Sequence, residues 1–435
     1  MKGRVLVTEL TQYVGKEVTV AGWIHTIRDL GKVAFVVLRD RSGIVQCVAE
    51  LSFRAELIKL HLESVVAISG TVVISPKEQQ PEIQVHKVQV ISAVMKALPF
   101  EIHKDNLEVR LDTMLDQRLV SLRHLKTRAI FSAQDRILRY MREYFAQQDF
   151  TEMKTPKLIG FPTEGGSEVF PVKYYERTAY LAQSPQFYKQ MMVSVFERVY
   201  EIAHAYRAEK SNTSRHMSEL VMIDVEMGFI DSWRDIAEIA IGVLRYVIDN
   251  LWQKDQTILN LWPELSKPLI PEKVPEITVQ ALHDLCFQDT GQDFRGEPDP
   301  SPQEERFICE YMKRETGSDA VLITEFPSSA AKFYHYINPE KPAVADRADL
   351  LFKGVEIATL SRRISDSNDL IASCKKHGVD VNNLGLKDYL EAFAYGMPAE
   401  GGFGMGLERI TQKIFDLANV KEAALFPRDV QRLSP

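Results

Sequence analysis

The chain has 435 residues, of which 45% are hydrophobic and 26% charged, with a net charge of −7; it is long enough for two domains with substantial cores and has the make-up of a soluble globular protein. No stretch of about 18 apolar residues is present, and Met1-Lys2-Gly3-Arg4 leads into a strand rather than a signal-peptide core, which excludes membrane-spanning and secreted classes and predicts a cytoplasmic protein. Four scattered cysteines, Cys47, Cys286, Cys309 and Cys374, have no metal-ligand spacing and read as free thiols of a reducing compartment.

In chain order, five short strands rich in Val and Ile come first: Val18–Ile24, Val33–Arg39, Ile44–Ala49, Val65–Ile74 and Ile83–Ile91. Asp40-Arg-Ser-Gly43 supplies a hairpin turn, and the helix-like Leu51–Leu62 falls between the third and fourth strands. Five strands with a helix at that point suit an OB-fold barrel, whose strand face commonly binds single-stranded nucleic acid. Phe35 is the candidate stacking platform, with Arg28, Arg39 and Gln46 as polar neighbours; burial of Phe35 in the core is the alternative that strand alternation leaves open. Residues 1–93 carry a net +2 against −9 for the remainder. The predicted organisation is a barrel over 1–93, a linker over 94–125 and a second domain over 126–435.

That second domain opens with an amphipathic helix, Ala129–Gln148, apolar at Ile130, Ile137, Met141 and Phe145, followed by Phe150-Thr-Glu-Met-Lys-Thr-Pro156. Further on, a strand entering at Val199–Ile202, a polar loop and a return strand ending in Asp224-Val-Glu226 form a hairpin that gathers Arg207, Glu209, Arg215 and His216. Two guanidiniums and an imidazole suit a polyphosphate, since Arg presents a planar fork of donors and stays charged, and a carboxylate among them can accept from an exocyclic amine such as that of adenine. A surface hairpin with ordinary salt bridges is the plain alternative. Near the end, Gly401-Gly-Phe-Gly-Met-Gly-Leu-Glu-Arg409 runs into a helix over Leu407–Leu417, its glycines allowing a backbone to pass tightly against a ligand.

Taken together, Ala129–Pro156, the Arg207–His216 hairpin and Gly404–Arg409 resemble motifs 1, 2 and 3 of the class II aminoacyl-tRNA synthetases, in order and over most of 126–435. The resemblance implies an α+β fold, an antiparallel sheet of six or seven strands with flanking helices behind the OB barrel, and a homodimer through motif 1. The barrel points to the Asp, Asn and Lys subgroup. Phe161-Pro-Thr-Glu-Gly-Gly-Ser-Glu-Val-Phe170 and Gln183-Ser-Pro-Gln-Phe-Tyr-Lys-Gln190 resemble segments of the aspartyl-tRNA synthetases, and the span of about 175 residues between motifs 2 and 3, with the ending Leu425-Phe-Pro-Arg-Asp429, resembles their compact archaeal type.

The implied chemistry is activation of L-aspartate by ATP with Mg²⁺, then transfer to tRNA(Asp) and also tRNA(Asn). Arg207 and Arg409 take the catalytic roles. The ATP site consists of Arg207, Ala208, Glu209, Arg215, His216 and Met217 from motif 2, Glu356, and Gly406, Leu407, Glu408 and Arg409 from motif 3. Aspartate falls to Glu164, Gln186, Lys189, Arg207, Thr359 and Arg363, because a buried carboxylate needs cationic partners. A solvated helix lysine is the alternative for Lys189. Mg²⁺ falls to Glu356 and Thr359, with Asp349 as a further oxygen ligand. The anticodon is assigned to Arg28, Phe35 and Gln46. His25 and the Pro76–Pro81 loop, with Pro81, resemble members of relaxed tRNA choice, for which the last anticodon base, C or U, is the discriminating one.

One stretch departs from the family. Where it typically reads Glu-x-x-Ser/Thr-Gly-Gly-Gln-Arg-Ile-His, this chain has Glu356-Ile-Ala-Thr359-Leu-Ser-Arg-Arg363-Ile-Ser365, and Phe326–Tyr334 lacks the usual Arg-Pro. Side chains in place of two glycines predict a reshaped pocket. Two other readings therefore stand beside the first: an asparaginyl-tRNA synthetase, and a non-catalytic tRNA-binding paralogue.

Overall fold

The structure, a computed structural model, describes residues 3–162, 168–210 and 213–434. Its contacts divide into two compact units, Met1–His124 and Leu125–Pro435.

The first unit is a closed barrel of β1 (Glu17–Asp29), β2 (Val33–Arg39), β3 (Ile44–Glu50), β4 (Val65–Ile74) and β5 (Pro81–Ser92), in spatial order β1-β2-β3-β5-β4. Alternation sets its wall: Ala34, Val36 and Leu38 of β2 are fully buried, as is Cys47 of β3, while Val33, Phe35 and Val37 face outward and are half-exposed. The β2–β3 turn is held by Asp40, whose carboxylate accepts from the Ser42 and Gly43 amides at 2.6 and 3.0 Å, the usual economy of an Asx turn. Helix α1 (Leu51–Leu57) ends five residues short of the predicted Leu62. Beyond it the chain turns at Glu63, which has a positive φ of 68° and aims its carboxylate inward at Arg39, 2.6 Å away.

The predicted linker is not featureless. It carries helices α2 (Leu111–Asp116) and α3 (Arg118–Ser121), and its contacts fall with the barrel up to His124. His103 reaches back to Glu63 at 3.3 Å. Glu63 also meets Arg123 at 3.2 Å, so its charge is spent inside this unit.

The second unit is built on an eight-stranded sheet, one or two strands more than the six or seven predicted. In chain order its strands are β6 (Thr151–Glu152), β7 (Arg198–Tyr206), β8 (Glu219–Gly228), β9 (Glu276–Thr278), β10 (Ala320–Thr324), β11 (Arg347–Phe352), β12 (Val355–Arg362) and β13 (Glu400–Gly406). The spatial order is β9-β10-β11-β12-β13-β8-β7-β6. The six central strands are antiparallel, and the short edge strands β9 and β6 join in parallel. Helix α4 (Leu125–Gln147) lays Ile130, Ala133, Ile137, Met141 and Phe145 against one face. Beside it lies helix α6 (Trp233–Lys254), started by a Ser232–Asp235 capping box. With the large cluster on that face, the opposite face is left to the polar residues that define a site. Helix α5 (Gln186–Phe196) precedes β7, and α7 (Leu407–Ile414) follows β13 directly. Among the described residues no helix is long and apolar enough to cross a membrane.

Candidate active site

Register places the polar residues in rows across the sheet. Asp349, Thr359, Gly404 and Asp224 are consecutive partners on β11, β12, β13 and β8; Arg347, Ser361, Gly402 and Glu226 form the next row. The glycines are what let the acids close in. A Cβ at Gly402 would lie 2.0 Å from the Val225 carbonyl oxygen and 2.2 Å from Glu226 Oε2, and one at Gly404 would lie 2.9 Å from the Met222 methyl. Gly402→Ala is therefore expected to displace Glu226, lowering stability by about 1–3 kcal/mol in urea unfolding and raising the KM for the amino acid.

Over these rows lies a cavity of about 340 Å³, lined among others by Gln186, Lys189, Arg207, Glu209, Arg215, His216, Met217, Glu356, Thr359, Arg363, Gly406, Glu408 and Arg409. Most residues that the sequence assigned to ATP and amino acid are thus brought together from four separate segments. Ala208 is not in the lining; its amide donates to the Glu168 carbonyl at 2.8 Å. Leu407 also faces away, into the hydrophobic core. Glu164 lies outside the described residues.

At one end Lys189, only 1% exposed, sits 3.1 Å from both Asp224 Oδ1 and Glu226 Oε2 and donates to the Phe403 carbonyl. Arg363 lies 2.7 Å from Glu226 Oε1, and donates to the Gly402 carbonyl and to the Ser361 hydroxyl. Burial works against the Glu226 carboxylate, yet the two cations hold it below the ordinary carboxylate range. Its neighbour Glu400 goes the other way, pushed well up by burial and by Glu226, and accepts from Gln190 at 2.7 Å. Gln186 donates in turn to Gln190. Lys189 is thus a buried cation rather than a solvated helix lysine.

At the other end three carboxylates each meet an arginine. Arg215 is 2.5 Å from Glu305, Arg409 is 3.4 Å from Glu356, and Arg347 grips Asp349 with Nε at 3.2 Å and Nη2 at 2.9 Å. Thr359 donates to Glu356 at 2.9 Å. Burial raises the Glu356 carboxyl but is outweighed by Arg409 and Thr359, which leave it low. Arg207 stands freer, 3.8 Å from Glu209 with its side chain 41% exposed. His216 bonds Thr213 at 2.7 Å, and burial holds its imidazole below the usual range. Glu408 points back at the sheet: both its oxygens accept from the Val221 amide, and burial lifts its carboxyl to about 7.

The departing stretch is accommodated without loss of the cavity. Leu360 is fully buried opposite Phe403, on the hydrophobic face of the sheet. Ser361 supplies the hydroxyl that Arg363 holds. Arg362 stacks on Tyr336 at 4.3 Å and donates to the Asp231 carbonyl. Asp224, Lys332, Tyr334, His335 and Arg347 line the cavity without having been assigned to it. A period-2 count along β8 and β11 places Asp224 and Arg347 on the site face once the registers of Glu226 and Asp349 are known.

In the barrel, Arg28, Phe35 and Val48 are cross-strand partners on the outer face, and Gln46 lies beside Val37 and Glu82. Phe35 is absent from the barrel core. Arg39, read as a surface neighbour, is instead buried against Glu63. His25 is buried as well, at a bulge in β1, edge-on to His103 at 4.8 Å; burial and nearby cations bring its imidazole down to about 4. Pro81 opens β5 opposite Ile74.

A sequence model described as tRNA synthetases class II (D, K and N) matches residues 110–430, and one for an OB-fold nucleic acid binding domain matches residues 18–91. The chain belongs to the class II tRNA synthetases. An aspartate--tRNA(Asp/Asn) ligase of Thermus thermophilus is 40% identical to this synthetase over 99% of the chain and 100% of its own length. An aspartate--tRNA(Asp) ligase of Pyrococcus horikoshii is 38% identical over 98% of each. Among solved structures, the asparaginyl-tRNA synthetase of P. horikoshii complexed with asparaginyl-adenylate superposes with a TM-score of 0.91, at 28% identity and full coverage of both chains. The synthetase is an aminoacyl-tRNA ligase.

Proposed function

We propose that this synthetase attaches L-aspartate to tRNA(Asp) and also to tRNA(Asn) through an aspartyl-adenylate. The observation that carries the choice of amino acid is the buried pair Lys189 and Arg363 at one end of the cavity. Held in place by Asp224 and Glu226, the two cations present fixed N–H donors, which a carboxylate that accepts at both oxygens satisfies better than an amide whose NH2 would face them, and at no cost of reorganisation when the ligand enters. Gln186 orients the ligand from the lining, and Glu164 is assigned to its ammonium group.

In the first step an α-carboxylate oxygen of aspartate attacks the α-phosphorus of ATP. The bond to the bridging oxygen breaks, and pyrophosphate leaves with the electron pair. Arg207, the least encumbered arginine of the cavity, offsets the charge that grows on the α-phosphate. Arg409, at the start of α7, acts on the same nucleotide, and Arg215 and His216 meet the remaining phosphates. In the second step a hydroxyl of the 3′-terminal adenosine of the tRNA attacks the carbonyl carbon, AMP departs, and the hydroxyl proton passes to solvent. No side-chain nucleophile is required; positioning and charge do the catalysis.

Mg²⁺, when bound, supplies positive charge to the phosphates. Glu356 with Thr359 fits one such oxygen position. Asp349 carries the Arg347 guanidinium on both oxygens, and that charge opposes a second ion there.

For the tRNA, Phe35 with Arg28 and Gln46 forms the anticodon surface, while His25 and Pro81 shape the barrel wall that sets tolerance at the last anticodon base. A cytoplasmic homodimer joined through the segment Ala129–Pro156 completes the reading. Phe35→Ala should lower tRNA charging about tenfold, the worth of one base stacked on an aromatic ring, and leave pyrophosphate exchange unchanged. Charging purified tRNA(Asp) and tRNA(Asn) side by side tests the relaxed reading: both accept aspartate if it holds, and tRNA(Asp) alone if the enzyme is strict.

A further inference from the structure

Three carboxylates at one end of the cavity each have an arginine: Glu305 has Arg215, Glu356 has Arg409 and Asp349 has Arg347. The third pair differs from the others. Arg347 and Asp349 are two residues apart on β11 and so share one face of the strand, which makes the pairing local and independent of any loop. The guanidinium is stacked on Phe326, 4.0 Å from the ring, and Nη1 lies 3.5 Å from Asp299. Its side chain is 13% exposed, and it borders both the main cavity and an adjoining one of about 520 Å³ that Asp349 and Glu356 also line. Of its five N–H donors only two are used on Asp349, so the fork keeps donors for another acceptor.

A divalent ion between Asp349 and Glu356 could draw on one or both carboxylates, with water completing its shell. Here Asp349 carries a fixed guanidinium bonded to both of its oxygens, and that charge repels a second cation at the same carboxylate. We propose that Arg347 binds the polyphosphate of ATP directly, standing in for a divalent ion beside Asp349, so that nucleotide binding at this end of the cavity depends on the protein's own cation and the metal is confined to Glu356. The assignment rests on the reading of this cavity as an ATP site.

The test is ATP binding by titration calorimetry in EDTA and in Mg²⁺, with Mn²⁺ bound per ATP site counted by electron paramagnetic resonance. The wild-type protein binds ATP in EDTA. Arg347→Met, which keeps an apolar stem against Phe326, loses about tenfold or more of that affinity, as expected for a charge-assisted phosphate contact, and holds one more Mn²⁺ because Asp349 is released. Arg347→Lys keeps charge and volume but not the fork; it loses at least about threefold in EDTA and decides the matter if the Met variant does not fold. ATP affinity in EDTA equal to wild type, with an unchanged Mn²⁺ count, overturns the proposal and leaves Arg347 as a strand salt bridge. If the wild-type protein binds no ATP with or without metal, it is the ATP reading itself that fails.

Discussion

Arg207→Ala is expected to lower aspartate-dependent pyrophosphate exchange about 10²–10³-fold, the cost of removing one preorganised donor from a transition state that gathers negative charge. The expectation follows from how little else the side chain does. Its one described ionic neighbour, Glu209, is 3.8 Å away, and the hairpin is positioned by the backbone, through the Arg207 amide on the Ser218 carbonyl at 2.9 Å. Truncation therefore leaves the fold and tRNA binding intact. The melting temperature and the affinity for tRNA should match the wild-type protein while exchange collapses. A variant that retained exchange would place the charge-offsetting role elsewhere, with Arg409 the next candidate.

Lys189→Met is expected to act on stability and substrate together. The lysine is buried between Asp224 and Glu226, and Met preserves its length while removing the charge. Glu226 keeps Arg363, but Asp224 loses its buried cation, and breaking such a pair typically costs about 3–5 kcal/mol. Urea unfolding should show that loss. Activation of aspartate should fall by about two orders of magnitude or more, since a desolvated carboxylate ligand would then lose one of its two cations and lie near Asp224 and Glu226. Full stability with an unchanged KM for aspartate would mean that the cation serves neither purpose.

The barrel was legible because its strands alternate and its turn is an Asp-to-Gly sequence, both local properties; β2 and β4 begin and end where the sequence places them. Leu51–Leu62 overran because apolar spacing continues through Leu60 and Leu62, while the turn at Glu63 is imposed by the distant Arg39. The segment 94–125 reads as a linker because its polar composition hides contacts such as His103 with Glu63. Arg39 and His25 look like surface groups for the same reason: a bulge or a buried partner cannot be seen from spacing.

In the second unit the motifs located the cavity, but not how its charges pair. Leu360 in place of a glycine predicted a reshaped pocket. Strand alternation instead turns that side chain into the core, and leaves Ser361 beside Arg363. Arg347 lies two residues from Asp349 and so on the same strand face, but a linear reading does not show what that face meets. Its meaning appears only when β11 and β12 are in register and Asp349 is seen to lie opposite Thr359.

The most direct measurement is amino-acid-dependent pyrophosphate exchange with aspartate and asparagine compared on the same purified protein. The donors of the buried Lys189 and Arg363 predict exchange with aspartate and at most about one-hundredth of that rate with asparagine, the penalty for setting an amide NH2 against N–H donors built to meet an acceptor. Exchange supported by asparagine and not by aspartate would contradict the assignment of amino acid, and exchange with neither would mean that the cavity no longer forms an adenylate.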